Sequence, residues 1–154
     1  DPILLICALG REANLQIMGK NQLFKIPILR TFLRKMGVFP VDRGHSDIGA
    51  VKRSIQALKD GFMLMVFPEG TRVRRKNRGA RPKGGVAMMA IRAGAKLMPI
   101  YIGTKKRLFA KVPIIFGKPF TPEYTGRKGT VEEYQANADE VIRRAYELGG
   151  ETWT

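Results

Sequence analysis

The fold prediction depends on the stretch FMLMVFPEGTR, residues 62–72. Its first six residues are apolar and lie between Gly61 and Pro68, which is the length of a buried strand with a breaker at each end. Because Pro68 lacks the N–H that a strand ladder needs, the turn falls at the carboxyl end of this strand. Ligands of open α/β sheets bind outside the carboxyl ends of strands, so residues 69–72 are predicted to meet a ligand.

The residue types of this turn suit an anionic ligand. Gly70 lets the backbone approach a ligand closely, and Thr71 offers a hydroxyl. The planar guanidinium of Arg72 can donate two parallel hydrogen bonds to a phosphate. We therefore expect an anion site that follows the strand, formed by Glu69, Gly70, Thr71 and Arg72.

Strands and helices alternate on both sides of this stretch. The predicted strands cover residues 14–18, 38–41, 62–67, 97–102 and 112–116, with Pro40 restricted to a strand end or an edge strand. The predicted helices cover residues 1–10, 27–36, 46–60, 84–94 and 131–148; Asp1 and Ser46 are expected as N-caps, and residues 130–133 form a capping box. In the last helix we expect these residues to face inward: Val131, Tyr134, Val141, Ile142, Ala145 and Leu148.

This alternation predicts an α/β domain with a mostly parallel central sheet flanked by helices. A chain of 154 residues is long enough for one domain with a real core, so we expect a single domain over residues 1–154. The chain opens on Asp1-Pro2 without an initiator Met, and we expect it to be an internal fragment whose N-terminal part is missing.

Charge is the unusual feature of the composition. The net charge is +15, and residues 72–83 hold seven basic residues and no acid. Such a run is either a solvated loop or a surface that binds phosphate or an anionic membrane. A basic nucleic-acid-binding module is the alternative from a different functional class. Few aromatic residues lie among the basic ones and no nucleic-acid reader motif is present, so we expect no nucleic acid as partner. The one cysteine, Cys7, allows no internal disulfide, which favours a reducing compartment.

Three segments in order carry a resemblance to a known family. GVFPVDR (residues 37–43), FPEGTR (residues 67–72) and MPI (residues 98–100) resemble the second, third and fourth sequence blocks of the glycerolipid acyltransferases, the 1-acylglycerol-3-phosphate acyltransferase family. Lys83-Gly84 is similar to a Lys-Gly step that follows the third block in this family. The resemblance covers nearly the whole chain and implies the α/β fold of the glycerol-3-phosphate acyltransferases.

The first block of this family is a histidine, four residues and an aspartate, often followed by proline. Asp1-Pro2 is similar to the end of that block, so the histidine would lie upstream of Asp1. His45 does not replace it, because Ala50 stands five positions beyond it. The resemblance implies a catalytic role for Asp1, whose carboxylate would orient the histidine that takes the proton of an attacking hydroxyl.

The resemblance implies acyl transfer to the free hydroxyl of 1-acylglycerol 3-phosphate, which forms phosphatidate in phospholipid biosynthesis. Acyl-CoA or acyl carrier protein would be the co-substrate, with no metal and no other cofactor. Arg43 and Arg72 would bind the acceptor's phosphate together with Gly70 and Thr71. Glu69 would hold an arginine or a glycerol hydroxyl in this site. Lys83 would reach the acceptor's phosphate or the donor's, and Pro99 would shape a strand end beside the site.

Two alternatives stay open at this point. The acceptor could be another lysophospholipid or glycerol 3-phosphate, or the chain could be a non-catalytic member of the family.

The longest apolar stretch, residues 2–10, is too short to span a bilayer. We therefore expect peripheral association with an anionic membrane surface, on the cytoplasmic face, through basic residues, with any amphipathic anchor upstream. The apolar residues of the 27–36 helix are candidates for measuring acyl-chain length.

Overall fold

The structure is a computed structural model that describes residues 14–41, 47–69, 81–103 and 112–153. Its contacts divide the chain into two compact units, Asp1–Phe67 and Pro68–Thr154. The expectation of one domain over residues 1–154 stays a prediction. The predicted helix over residues 1–10 and the predicted loop over residues 42–45 lie outside the described residues.

The first unit contains a parallel sheet and its crossover helices. In chain order its elements are β1 (Leu15–Lys20), a 3₁₀ helix (Asn21–Lys25), α1 (Pro27–Lys35), β2 (Val38–Val41), α2 (Ile48–Lys59) and β3 (Met63–Met65). The strand order is β2-β1-β3 and both pairings are parallel. Ile17 of β1 lies opposite Val38 of β2 and Met65 of β3. A parallel sheet flanked by helices confirms the predicted α/β class.

Local signals explain where these helices begin and end. Pro27 occupies the first turn of α1, where its missing N–H is not needed. The N-cap of α2 is Asp47, whose carboxylate accepts the Ala50 N–H at 2.8 Å. The prediction of Ser46 as the cap was wrong by one residue, because Ser and Asp are both good caps and sequence does not rank them. Pro40 lies in β2, an edge strand of the described sheet, as expected.

The core of the first unit lies where the central strand meets its neighbours. Ile17, Val38, Phe39 and Met65 are buried, and Ala50 of α2 is buried with them. The expectation of a fully buried strand over residues 62–67 was wrong. β3 has only three residues and its exposure falls from its first residue to its last, so that only the last one is buried. The reason is its position at an edge of the described sheet.

Gly37 and Gly61 provide a matched test of the turns that follow the two helices. Both have left-handed backbone, with φ of +73° and +86°. A Cβ on Gly37 would lie 2.3 Å from the Leu15 carbonyl oxygen, whereas a Cβ on Gly61 meets no atom within 4 Å. We expect Gly61→Ala to cost about 1–2 kcal/mol of unfolding free energy, the usual cost of this conformation. Gly37→Ala should cost clearly more, because strand backbone must move.

Urea unfolding of the two variants, measured beside the wild type, checks this expectation. The midpoint should fall for both variants and furthest for Gly37→Ala. Equal midpoints for the two variants would contradict the close approach of Gly37 to β1.

The second unit contains two helices and an antiparallel strand pair. Its elements are α3 (Gly85–Ala93), β4 (Ile100–Ile102), β5 (Ile114–Phe116) and α4 (Val131–Leu148). β4 and β5 pair antiparallel, and an isolated bridge joins Leu97 to Phe120. The predicted strand over residues 97–102 is therefore interrupted, with Pro99 between the bridge and β4. The sequence pattern did not predict the antiparallel direction of this pair.

The long helix α4 begins as predicted. Thr130 accepts the Glu133 N–H and the Glu133 carboxylate accepts the Thr130 N–H, which completes the capping box. Val141 and Ile142 are buried as expected. The expectation that Val131 faces inward was wrong, because it is 73% exposed. It is the first residue of the helix and lies a full turn before the residues that pack on α3.

Small side chains let α3 and α4 approach each other closely. Ala87 of α3 and Ala138 of α4 have no exposed surface, and Ala90 is also buried. Leu97 joins the same apolar cluster. A Cβ on Gly84 would lie 3.3 Å from the α4 backbone. This packing fixes the start of α3, and with it the chain just before α3, against the long helix.

None of the helices in the described part of the chain is both long enough and apolar enough to cross a membrane.

Candidate functional site

Two of the predicted site segments follow strands of the parallel sheet. Because β1, β2 and β3 are parallel, the chain leaves β2 at Val41 and β3 at Met65 at the same end of the sheet, where the carboxyl ends of the strands lie. The predicted phosphate ligand Arg43 comes two residues after Val41, outside the described residues. The predicted turn at Pro68 and Glu69 is present, three residues after the end of β3.

Glu69 is the one acidic residue of the predicted site that the structure describes. Its side chain is partly buried, and its carboxylate accepts a hydrogen bond from the Tyr146 hydroxyl at 3.1 Å. Burial raises the pKa of the Glu69 carboxyl above its usual 4.5, and the Tyr146 hydrogen bond lowers it in part. A carboxylate held in this way is a pre-positioned hydrogen-bond acceptor.

The backbone joins the beginning and the end of the basic segment. The Lys83 N–H donates to the Pro68 carbonyl at 3.0 Å, so the chain returns to the turn from which it left. Residues 70–80, which include Gly70, Thr71 and Arg72, lie between these two points and outside the described residues. The structure therefore places Lys83 next to the turn, with its side chain exposed.

Side chains of α4 hold the chain on the Lys83 side of this segment. Gln135 donates to the Pro82 carbonyl at 2.8 Å and to the Asp139 carboxylate at 2.8 Å. Asp139 in turn accepts from the Arg81 guanidinium at 3.1 Å. The Arg81 side chain is largely exposed, so this ion pair contributes little on its own. The amide of Gln135 thus supplies a hydrogen-bond donor to the carbonyl of the buried Pro82.

Gln135, Asp139 and Tyr146 share one face of α4, since they are four and eleven residues apart. Sequence reasoning assigned none of them to the site. Their spacing was visible, but the contacts join residues 77 and 53 positions apart in the chain, which local patterns do not reveal. The long helix thus supports both ends of the predicted anion-binding segment.

Pro99 is packed against the strand pair of the second unit. It is buried, and its carbonyl accepts the Gly117 N–H at 2.9 Å, just before β4 begins. A Cβ on Gly117 would lie 2.7 Å from the Pro99 ring. Both residues line a surface depression with Lys118, Arg144 and Leu148. Pro99 directly precedes β4, and its expected role of shaping a strand end beside the substrate site stays a prediction.

The remaining predicted site residues, Asp1, Arg43, Gly70, Thr71 and Arg72, all lie outside the described residues, so their roles stay predictions. Among the residues that are described, no cluster of three or more His, Cys, Asp or Glu side chains could hold a metal ion. The expectation of a reaction without metal or cofactor also stays a prediction.

The Tyr146 hydroxyl has a matched control on the same helix. Tyr134 also packs partly buried against the α3–α4 cluster, but its hydroxyl donates to the Lys128 carbonyl. We expect Tyr146→Phe to raise the pKa of Glu69 further, because the ionised carboxylate loses a donor. Tyr134→Phe should leave the pKa of Glu69 unchanged.

NMR titration of ¹³C-labelled glutamate side chains measures this pKa directly. Assignment of the Glu69 signal comes from its loss in Glu69→Gln. An equal Glu69 pKa in the wild type and in Tyr146→Phe would contradict the hydrogen bond.

Comparison with known proteins defines the class to which this arrangement belongs. The Acyltransferase family model matches residues 1–103, which include the turn at Glu69 and Lys83. A crystal structure of the 1-acyl-sn-glycerophosphate (LPA) acyltransferase PlsC from Thermotoga maritima superimposes with a TM-score of 0.69 at 25% identity, covering 99% of this chain and 63% of that one. The fold is that of an acyltransferase.

Sequence relatives agree with this assignment. The 1-acyl-sn-glycerol-3-phosphate acyltransferase of Bacillus subtilis is 30% identical over 140 residues, which are 88% of this chain and 69% of that enzyme. The enzyme of the same name from Streptococcus pneumoniae is 33% identical over 125 residues, 77% of this chain and 45% of its own length. The chain belongs to the Acyltransferase family, and the predicted resemblance to the 1-acylglycerol-3-phosphate acyltransferases is confirmed. It spans about two thirds of the Bacillus enzyme and under half of the Streptococcus enzyme.

Proposed function

We propose that this protein transfers a fatty acyl group to the free hydroxyl of 1-acylglycerol 3-phosphate and so forms phosphatidate. The observation that carries the proposal is the turn at Glu69, which stands in the third block of the family and is fixed by Tyr146 at 3.1 Å. Relatives that match the chain carry the name of this activity. The assignment of acceptor and product to the present chain rests on these two supports.

The chemical step requires a base for the acceptor hydroxyl. In the proposed mechanism Asp1 orients the histidine that the first block places five residues earlier, and the imidazole takes the hydroxyl proton during attack on the thioester carbonyl. The C–S bond breaks as the new C–O bond forms, and the imidazolium returns the proton to the departing thiolate. General base catalysis of this kind contributes about 10²- to 10⁴-fold to the rate.

The phosphate of the acceptor is assigned to Arg43 and Arg72. Guanidinium forks match phosphate oxygens and donate two parallel hydrogen bonds. Gly70 and Thr71 supply backbone N–H groups and a hydroxyl at the same turn. Glu69 accepts a hydrogen bond from a glycerol hydroxyl or an arginine, with its orientation set by Tyr146. Lys83, which is exposed beside the turn, attracts a phosphate of acceptor or donor.

The donor is acyl-CoA or acyl carrier protein, and no metal or other cofactor takes part. The protein works at an anionic membrane surface as a peripheral enzyme on the cytoplasmic face. Its +15 net charge supports this location, because each basic residue near an anionic leaflet contributes about 1 kcal/mol of attraction.

Acyl transfer with labelled donors tests the proposal. The full-length protein is incubated with acyl-CoA or with acyl carrier protein and 1-acylglycerol 3-phosphate, and the lipid product is identified by mass. Phosphatidate from at least one donor is the expected result. A folded full-length protein that forms no phosphatidate from either donor would contradict it.

A further inference from the structure

Helix α1 exposes large apolar side chains in a part of the chain that carries only positive charge. Ile28 is 86% exposed, Phe32 is 51% exposed, and Ile26 just before the helix is 55% exposed. A single exposed apolar side chain is ordinary, but Ile28 and Phe32 are neighbours on the helix surface and Ile26 at the N-cap is a third exposed apolar side chain within seven residues. We call Ile26, Ile28 and Phe32 the α1 patch.

The patch is one edge of a wide apolar stripe. Ile28 and Phe32 are four residues apart and therefore lie one above the other on the helix. The next positions on the stripe, Leu29 and Leu33, are half-buried toward the rest of the first unit. The stripe is thus too wide for the surface on which the helix packs, and its outer edge lies in solvent.

The polar face of α1 is basic. Arg30 and Arg34 are also four residues apart, and both are exposed, as are Lys25 and Lys35. The sequence contains no acidic residue between Glu12 and Asp42. An apolar edge beside a basic face is the pattern of helices that lie in the interface of an anionic bilayer.

We propose that α1 is a membrane-contacting element: the α1 patch enters the headgroup region of an anionic bilayer while Arg30 and Arg34 contact lipid phosphates. Charge complementarity selects this occupant, because another protein surface would need a dense acidic patch and an apolar groove together. Ile28 and Phe32 face lipid in this arrangement and not the acyl-chain pocket.

Co-sedimentation with vesicles tests the proposal on the full-length protein. Vesicles of phosphatidylglycerol and phosphatidylcholine in equal parts are compared with phosphatidylcholine alone. The double variant Ile28→Gln/Phe32→Gln should bind the mixed vesicles at least about tenfold more weakly than the wild type, because it loses the apolar contact. Arg30→Gln/Arg34→Gln should also weaken binding, by about tenfold or more.

Matched controls come from α2 of the same unit. Ile48 is 66% exposed, so Ile48→Gln removes one large exposed apolar side chain outside the patch, against two in the test variant. Lys52→Gln/Lys59→Gln removes the same charge as the arginine variant from two exposed positions. We expect both controls to bind the mixed vesicles within about threefold of the wild type. Thermal unfolding should give the wild-type midpoint for all four variants, since the replaced side chains are exposed.

Two further results would overturn the inference, besides unchanged binding of the Ile28→Gln/Phe32→Gln variant. One is a change of this variant from dimer to monomer in light scattering, which would assign the patch to a second copy. The other is loss of transfer to a short-chain, fully dissolved 1-acylglycerol 3-phosphate, which would assign the patch to the acyl pocket.

The inference rests on the proposed function only in taking the acceptor to be a membrane lipid. Vesicle binding is measured without donor or acceptor, so its failure is distinguishable from failure of the proposed reaction.

Discussion

Arg72→Ala is expected to reduce kcat/KM for 1-acylglycerol 3-phosphate by about 10²- to 10⁴-fold. A guanidinium that donates two hydrogen bonds to a phosphate loses both on truncation, and each charge-assisted bond contributes roughly 1.5–3 kcal/mol. Every 1.4 kcal/mol corresponds to a factor of ten. Arg72→Lys should recover part of the loss, because an ammonium keeps the charge without the planar fork. Initial rates at several acceptor concentrations measure the effect.

Arg92→Ala is the matched control, because Arg92 is an exposed arginine on α3 and its loss changes the net charge equally. We expect this variant to stay within about twofold of the wild type. Similar losses in Arg72→Ala and Arg92→Ala would mean that the substitutions act through overall charge, and the phosphate assignment of Arg72 would be wrong.

Glu69→Gln is expected to lower kcat/KM by about 10- to 100-fold and to stabilise the folded protein near neutral pH. The activity falls because an amide oxygen is a weaker acceptor than a carboxylate for a substrate or arginine donor. The stability rises because the wild type must hold a partly buried charge that the variant lacks. Glutamine keeps an oxygen for the Tyr146 hydroxyl, so the local contact survives.

The pH dependence gives the sign of this stability effect. The folded-state pKa of Glu69 is raised above its usual 4.5, so the folded state binds the proton more tightly than the unfolded state. Wild-type stability therefore decreases as pH rises from 4.5 through the raised pKa, while Glu69→Gln lacks this decrease. Thermal unfolding at pH 4 and pH 7 should show the variant's advantage mainly at pH 7, with Glu132→Gln, an exposed change on α4, as control. An advantage independent of pH would contradict the burial of an ionised Glu69.

Acidic conditions also affect a surface cluster on α4. Hydrogen bonds from Arg143 and Arg144 lower the pKa of Glu140 to about 2. A lowered folded-state pKa stabilises the protein above the unfolded value of 4.5, and this contribution is lost as pH falls toward 2. Glu69 and Glu140 therefore act in opposite directions. A pH series on Glu69→Gln removes the Glu69 contribution and leaves the acid-side decrease of Glu140 together with that of Glu133, whose pKa is lowered by hydrogen bonds from Thr125 and Thr130.

The sequence predicted most of the secondary structure where local chemistry decides it. Breakers and caps such as Pro27, Gly37, Gly94 and the Thr130–Glu133 capping box all mark real boundaries. The parallel sheet was also predictable, because strands separated by helices must cross over. The length of β3 was not predictable from sequence, because burial of its apolar run depends on what lies beyond the edge of the sheet.

The sequence predicted which segments of the chain form the candidate site, but not the contacts that hold them in place. The third block located Glu69, and the Lys-Gly step located Lys83, from their neighbours in sequence. Their support by Tyr146, Gln135 and the Pro68 carbonyl was not predictable, since it depends on how α4 packs on α3. Nor does amphipathic periodicity show which edge of the apolar stripe of α1 stays exposed, and the expectation that apolar residues of the 27–36 helix measure acyl-chain length stays a prediction.

The most direct test of the account is acceptor selectivity in one assay. The full-length protein is given equal amounts of 1-acylglycerol 3-phosphate and lysophosphatidylcholine, whose phosphate carries a choline cap, together with glycerol 3-phosphate and a labelled donor. We expect label in phosphatidate, with the choline lipid and glycerol 3-phosphate acylated at least about a hundredfold more slowly. Equal labelling of the two lysolipids would contradict a site built for a terminal phosphate, and acylation of glycerol 3-phosphate alone would contradict the proposed acceptor.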